Sequence, residues 1–357
     1  MKILKLFGRA LLFWLSLFEL LAGGRGWWGL SWLGRGFPRV LLALLSPAAL
    51  LAMDGGRARR GISLALTAPL ALALQVAASS LRNRTLNPLL QLRPGGYADR
   101  TIERLDIPMD QGYLPALHVV PLGQVIAAVC VVHGSGCDKT SYAWRLVDTL
   151  VARGIAALLI DIDGHGENPR PQSFPAIVED ANVAVAWLRG RYGRVGLLGI
   201  SLGGCVAARA AADGLAIDAL ALLEAPPLLR YTQTDVYREA AALLRPYLMD
   251  LFRDSTAYHI YRAWEYPPIR ATISTWDLIE ALDLLGSLPR ITAPLLLIYG
   301  GSDAIVKPAQ AAQARAAMPA GATFRLVPGV SHLTIILTPR VLWILGDWLQ
   351  KRMEDEG

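Results

Sequence analysis

The stretch Arg194-Val-Gly-Leu-Leu-Gly-Ile-Ser-Leu-Gly-Gly-Cys-Val-Ala-Ala-Arg209 decides the reading of this chain. It begins as a short apolar run of strand character and ends as an Ala-rich run of helix character. Between them, Gly199-Ile200-Ser201-Leu202-Gly203 has the form G-x-S-x-G. A strand that stops, turns sharply through a serine and continues at once as a helix holds that hydroxyl clear of the sheet as a nucleophile. The flanking glycines carry no side chain, so helix and strand can approach closely around the turn. Amide groups at the helix N-terminus then favour negative charge that develops nearby. In a chain of 33 glycines the pentapeptide alone also describes a turn without chemistry. Partners elsewhere in the chain have to decide.

From about Asp99 short β-rich runs alternate with helix-like stretches. The predicted strands are Ile102–Ile107, Leu114–Val120, Ile126–Val132, Ala156–Asp161, Val195–Ile200, Ala219–Leu223, Leu295–Tyr299 and Thr323–Val327. The later ones are almost wholly apolar, as strands covered on both faces are. The alternation predicts an α/β domain with a mostly parallel sheet and right-handed crossovers. Ligands of such sheets gather at the carboxyl ends of the strands. In this sequence those ends carry His133-Gly-Ser-Gly136, Asp161-Ile-Asp-Gly-His-Gly166, Ser201, Gly300-Gly-Ser-Asp303 and Pro328-Gly-Val-Ser-His332. A serine, an aspartate and a histidine thus reach one rim from different strands, with Asp303 lying 102 residues after Ser201 and His332 a further 29 on.

Residues 100–352, roughly 70% of the chain, resemble an α/β-hydrolase. The matching features are the His133-Gly134 turn, Asp163-Gly-His-Gly166, the elbow Gly199–Gly203, Gly301-Ser-Asp303 and Gly329-Val-Ser-His332, in the family's order. The resemblance implies a serine hydrolase in which Ser201 attacks an acyl carbonyl. It makes His332 the general base and then acid, and Asp303 the group that orients the imidazole. It implies an oxyanion hole built from the amide of Leu202 and the turn at Gly134–Ser135. Glu224 also follows a strand and is an alternative source of the acid. His165 lies in a Gly-His-Gly loop that is usually structural in the family, and His133 is expected to shape the oxyanion turn. His118 and His259 have no partners in sequence and default to structural roles.

Composition bounds the remaining classes. Cys130, Cys137 and Cys205 form neither a disulfide framework nor a C-x-x-C metal spacing, and the five histidines show no H-E-x-x-H pattern. No metal and no cofactor is expected. Hydrophobic residues make up 54% and mean hydropathy is +0.37, which predicts membrane segments. The first hundred residues hold 13 Lys and Arg against three acids, a balance of +10, so the net +6 leaves −4 for the rest. Basic residues between apolar runs suit anionic lipid headgroups better than nucleic acid, and no nucleic-acid motif is present.

Three apolar runs stand in that region: Ala10–Ala22, Val40–Met53 and Gly61–Leu81, the last with 21 residues and no charge. With Trp14, Trp27, Trp28 and Trp32 as an interfacial belt, they predict a membrane-anchoring helical region over 1–82, a linker over 83–98 and a hydrolase domain over 99–352. The side of the membrane that the active site faces stays open. The connection of about 65 residues from Pro226 to Arg290 exceeds an ordinary loop and predicts a helical lid, rich in Tyr and Trp, as an apolar wall for an acyl group or as lid core. The expected function is a membrane-anchored hydrolase of an ester, thioester or lipid-like acyl substrate. The alternatives are peptide-bond hydrolysis or acyl transfer by the same triad, and a non-catalytic scaffold of a membrane complex.

Overall fold

Chains that bury apolar strand runs on both faces need helices on each side of a sheet, and residues from Gln91 onward follow that arrangement. The computed structural model describes residues 2–24, 46–53, 56–86, 92–141, 143–243 and 269–354. They fall into two compact units, one within Met1–Leu90, the other in Gln91–Ala242 and Glu265–Gly357.

In the larger unit the described residues form a nine-stranded sheet in the order β1-β2-β3-β5-β4-β6-β7-β8-β9. The strands are β1 Gly95–Gly96, β2 Arg100–Pro108, β3 Tyr113–Pro121, β4 Ala127–Val132, β5 Ile155–Ile160, β6 Val195–Ile200, β7 Ala219–Leu223, β8 Leu295–Gly300 and β9 Thr323–Val327. The first three pair antiparallel, and β5 through β9 are parallel. Every residue of β4, β5, β7 and β8 is buried. Edge-side β2 instead mixes buried and exposed positions. That contrast is why the central strands read as unbroken apolar runs.

Alternate residues of these strands serve two cores. Cys130, Leu158, Leu197 and Leu222 pack into one large cluster with α5 (Ile177–Arg189) and α6 (Leu202–Ala212). The helix α4 (Ala143–Val151) packs with the C-terminal helix α11 (Pro339–Met353), which also meets β6 and β7. Order 5-4-6 places a change of crossover direction at β4, so a crevice opens beyond its carboxyl end.

The register lines up the strand ends. Val132 is level with Gly199, Ile200 with Leu223, Leu223 with Ile298, and Gly300 with Val327. His133, Ser201, Glu224, Gly301 and Pro328 are therefore the first residues past a single rim.

The segment between β7 and β8 differs from a lid over its whole length. Residues 244–268, with Tyr247, Phe252, Tyr258, His259, Tyr261, Trp264 and Tyr266, lie outside the described residues. On one side of that gap is α7 (Gln233–Leu243); on the other are α8 (Thr275–Leu282) and α9 (Leu284–Ser287). Leu278, Leu282, Leu284 and Leu288 are fully buried in the main core. This end of the segment is part of the domain's interior, which connection length alone does not reveal.

The smaller unit contains α1 (Lys2–Gly24), α2 (Ser46–Leu51) and α3 (Arg57–Leu86). Helix α1 packs on α2 and α3, with Leu6, Ala10 and Met53 buried together against Leu64. The Trp14 indole donates to the Leu64 carbonyl at 2.8 Å, so Trp14 serves packing between helices. Trp27, Trp28 and Trp32 lie outside the described residues.

The membrane anchor and membrane localisation expected from this region are corrected. Among the described residues no helix is long and apolar enough to cross a membrane. The reason lies in what a charge-free run contains. Gly61–Leu81 holds Ser63, Thr67, Pro69, Gln75, Ser79 and Ser80 among its alanines and leucines. The Thr67 hydroxyl turns back to the Ser63 carbonyl at 2.7 Å. Lys5, Arg9 and Glu19 interrupt α1 in the same way. Absence of charge overstated apolarity.

Candidate functional site

Ser201 stands at the sharp junction of β6 and α6. Its φ of 52° and ψ of −119° are unusual for a residue with a Cβ, and the fold enforces them. The Ser201 amide donates to Leu223 O at 2.8 Å, which pins the turn to β7. Glycine is required at two adjoining positions. A Cβ on Gly199 would lie 2.4 Å from Gly203 O, and one on Gly203 would lie 2.2 Å from Val132 O. Only bare backbone lets α6 start this close to β4 and β6.

Two of the predicted partners arrive from β8 and β9. His332 Nε2 lies 3.1 Å from Ser201 Oγ, and its Nδ1 lies 2.8 Å from Asp303 Oδ2. The other Asp303 oxygen accepts from the amides of Ile305 and Val306, both at 2.7 Å, which holds the carboxylate in place. Asp303 is 3% exposed, so the acid is shielded from water while Ser201 is half-buried. Burial works against the imidazolium of His332, but Glu224, whenever it is ionised, and Asp303 outweigh it and raise its basicity above that of a free histidine.

Glu224 follows β7 with a φ of 49°. Its Oε1 accepts from Gly300 N at 3.0 Å, and its Oε2 sits 3.0 Å from His332 Nδ1. Two carboxyl groups thus converge on one imidazole nitrogen, so the sequence alternatives for the acid are both present at the site. Glu224, Asp303 and His332 place ligand-type atoms within 4.8 Å of one another. A metal ion there would have to displace the Nδ1 proton that faces Asp303.

The residues expected to form an oxyanion hole lie beside Ser201. Leu202 is the first residue of α6, where an amide has no carbonyl within its own helix to bond. Gly134 is buried, and a Cβ on it would lie 3.2 Å from Ser201 Cβ. Ser135 is exposed beside it, its hydroxyl 3.3 Å from that of Thr275. His133 braces this turn: Ile162 N donates to its Nε2 at 3.3 Å, which leaves Nδ1–H to donate to Gly134 O at 2.8 Å. Its role is to shape the loop.

A Gly134→Ala protein is expected to fold with a slightly lowered melting temperature, since Gly134 does not need a left-handed backbone but a Cβ there would lie 3.2 Å from Ser201 Cβ. The new methyl would crowd the nucleophile and lower kcat on the order of 10- to 100-fold in ester hydrolysis assays. Unchanged turnover would exclude this turn from the reacting centre.

The remaining histidines and the cysteines have surroundings of their own. His165 bonds the Asp163 carbonyl at 2.9 Å and meets the His133 ring edge-on. His118 pairs with the Tyr192 hydroxyl at 2.8 Å, and burial, with Arg191 nearby, pushes its pKa down to about 4. Cys130 and Cys205 are buried and their thiols are pushed far up by desolvation, whereas Cys137 is half-buried.

Sequence reasoning missed Glu239, a residue of α7 that is 2% exposed. One oxygen accepts from Ala304 N at 2.7 Å and the other from Leu333 N at 3.1 Å. It therefore fastens the loop that bears Asp303 to the loop that bears His332. No local motif marks such a residue, because its partners are backbone amides brought together only by the fold.

A family model described as Alpha/beta hydrolase family matches residues 129–342. Uncharacterized proteins from two strains of Mycobacterium tuberculosis are 30% identical over 212 residues, covering 57% of this chain and 62% of theirs. The chain thus spans about three-fifths of the length of the curated relatives it matches. Among solved structures, a soluble variant of monoglyceride lipase from Saccharomyces cerevisiae aligns with a TM-score of 0.55 at 16% identity, over 73% of this chain and 98% of that one. An esterase from Exiguobacterium antarcticum aligns with a TM-score of 0.52 at 16% identity, over 70% and 100%. At such identities the likeness is one of fold.

Proposed function

The chain belongs to the alpha/beta hydrolase family, and from that premise we propose that it is a serine hydrolase that cleaves an ester or thioester through an acyl-enzyme on Ser201. The observation that carries this reading is the continuous hydrogen-bond path from Ser201 Oγ through His332 to Asp303, at 3.1 and 2.8 Å.

The geometry supplies each step. Ser201 Oγ attacks the acyl carbonyl carbon as its proton passes to His332 Nε2. The carbonyl π pair moves to oxygen, which the amides of Leu202 and the Gly134–Ser135 turn receive. The intermediate collapses, the bond to the leaving alcohol or thiol breaks, and that group takes the proton from Nε2. Water then attacks the acyl-enzyme as its proton passes to Nε2, and on collapse the acyl–Oγ bond breaks, Ser201 Oγ takes that proton back and the acid is released. Asp303 stays ionised throughout and fixes Nδ1–H toward itself.

The acyl side is apolar in this proposal. Thr275, in contact with Ser135, is followed by Trp276, whose ring lies 4.9 Å from that of Tyr231. Trp276 and Leu333 keep about two-fifths of their surfaces exposed beside the reacting groups. Alkyl and aromatic acyl groups fit such a wall better than charged ones.

A fluorophosphonate probe tests the class. The expected result is a single adduct on Ser201 in folded protein, with turnover of p-nitrophenyl acyl esters. Absence of that adduct from folded protein ends the proposal. Esters of graded acyl length then give the chain preference.

A further inference from the structure

Outside the path used above, one buried titratable group points into the reacting cluster. Glu224 is fully buried, and its Oε2 accepts no hydrogen bond from any described residue. It lies 3.0 Å from His332 Nδ1, but that nitrogen has one proton and Asp303 receives it at 2.8 Å. An ionised Glu224 would be a second, unpaired carboxylate beside Asp303 in a water-free site, which is costly. As a carboxylic acid it has an O–H to donate, and the neighbouring acceptor is Asp303, with which it shares a cluster no wider than 4.8 Å. The backbone supports this arrangement on its other side, since Gly300 N fixes Oε1 and Glu224 N donates to Ile298 O at 2.9 Å.

We propose that Glu224 is a positioning residue of this site, a neutral second carboxyl that hydrogen-bonds Asp303 and accepts the His332 Nδ1–H when Asp303 cannot. This rests on the serine-hydrolase reading of Ser201, His332 and Asp303. Consistent with it, burial first, opposed by His332 and reinforced by Asp303, pushes the Glu224 pKa up to about 8. Glu239 stands behind the cluster on the Ala304 and Leu333 amides, and nearer lie two hydrogen-bonded donors: the Tyr299 hydroxyl gives to Ala225 O at 2.7 Å and the Cys205 thiol to Pro226 O at 3.3 Å. Burial raises both, so both are neutral at working pH. Glu224 therefore tunes the site by its proton, while Asp303 is the acid that receives Nδ1–H at rest.

The design provides a substitute acid. In a triad with one acid, replacing Asp by Asn costs about 10,000-fold in kcat. Here Asp303→Asn keeps Oδ1 for the Ile305 and Val306 amides and removes only the oxygen that faces His332. Glu224 Oε2 then releases its proton to solvent and accepts Nδ1–H from its present position.

Three variants in the full chain test this: Asp303→Asn, Glu224→Gln and the double variant, with kcat/KM measured from pH 5 to 10. Asp303→Asn is expected to stay within about 100-fold of wild type, and the double variant to fall about 10,000-fold. Glu224→Gln is expected to lose the ionisation near pH 8 from the rate profile. Its stability should also change less with pH. A Glu raised from about 4.5 to about 8 on folding contributes stability present below pH 4.5 and lost as pH rises through 8. His332, raised as well, adds a slope of the same sign, so the slope shrinks without vanishing.

An Asp303→Asn protein as inactive as the double variant overturns the proposal, as does an unaltered rate profile in Glu224→Gln. If Asp303→Asn fails to fold, Asp303→Ala with and without Glu224→Gln reads the same difference. Failure of the underlying triad reading looks different: wild-type protein itself then takes no fluorophosphonate on Ser201.

Discussion

Replacing Ser201 by alanine is expected to lower kcat for ester hydrolysis by four to six orders of magnitude, with the fold intact. The lower figure reflects catalysis left over from binding and the oxyanion donors; the upper is the loss seen when a serine of this type is removed elsewhere. In barrier terms the span is about 5–8 kcal/mol. The case for an intact fold is structural. What holds this turn is the Ser201 amide on Leu223 O and the closeness of Gly199 and Gly203 to backbone, none of which involves the hydroxyl. Alanine keeps the same Cβ at the same φ of 52°, so the strain stays as it is. Calorimetry should accordingly find the two proteins within about 1 kcal/mol of each other. Wild-type turnover in the alanine protein would remove Ser201 from the chemistry.

Much of this site was legible because parallel strands buried on both faces leave a sequence signature. Runs such as Ala127–Val132 and Leu295–Gly300 have no charged residue, and each stops where the chain crosses the rim. The residue after each stop is then where chemistry can sit, and so Ser201, Asp303 and His332 could be named in order. The rest depends on distances between strands. That Glu224 and Asp303 meet the same imidazole nitrogen follows from β7 lying beside β8, a neighbourhood no spacing states. Glu239 was invisible for a related reason, since it recognises amides of Ala304 and Leu333 from 65 and 94 residues away. The N-terminal helices misled in the opposite way. Their leucines and lack of charge resemble a membrane span, while among the described residues Leu6, Ala10 and Met53, with Leu64 against them, form a small helical core and Leu66, Leu70 and Leu74 stay exposed.

Lys139→Met is expected to destabilise the larger unit by about 3–5 kcal/mol, the range for breaking one side of a buried ion pair. The Lys139 side chain is 4% exposed and its ammonium lies 2.5 Å from Asp161, which is wholly buried, and 2.7 Å from Glu167. Asp161 also accepts from the amides of Lys139 and Glu167 at 2.7 and 2.8 Å, so its geometry is that of an ionised carboxylate. Burial alone would discharge the lysine, but Asp161 and Glu167 outweigh it and raise its pKa. A raised lysine contributes stability that is complete below its unfolded value, about 10.4, and that fades only above it. Burial pushes the Asp161 carboxyl up while Lys139 pulls it down, so the acid depends on the lysine to stay charged. Methionine fills the same length of channel without charge and leaves Asp161 unpaired in a dry interior. Against a typical total of 5–15 kcal/mol, that loss should appear as a large fall in the urea midpoint. Replacing both partners, as Lys139→Met with Asp161→Leu, should recover part of the loss, because the damage comes from the stranded carboxylate. A midpoint shift below about 1 kcal/mol in the single variant would show that the pair is not formed. Activity should fall ahead of unfolding: Lys139 ties the end of the loop that begins at His133 to the loop after β5, and the oxyanion turn at Gly134 lies between those anchors.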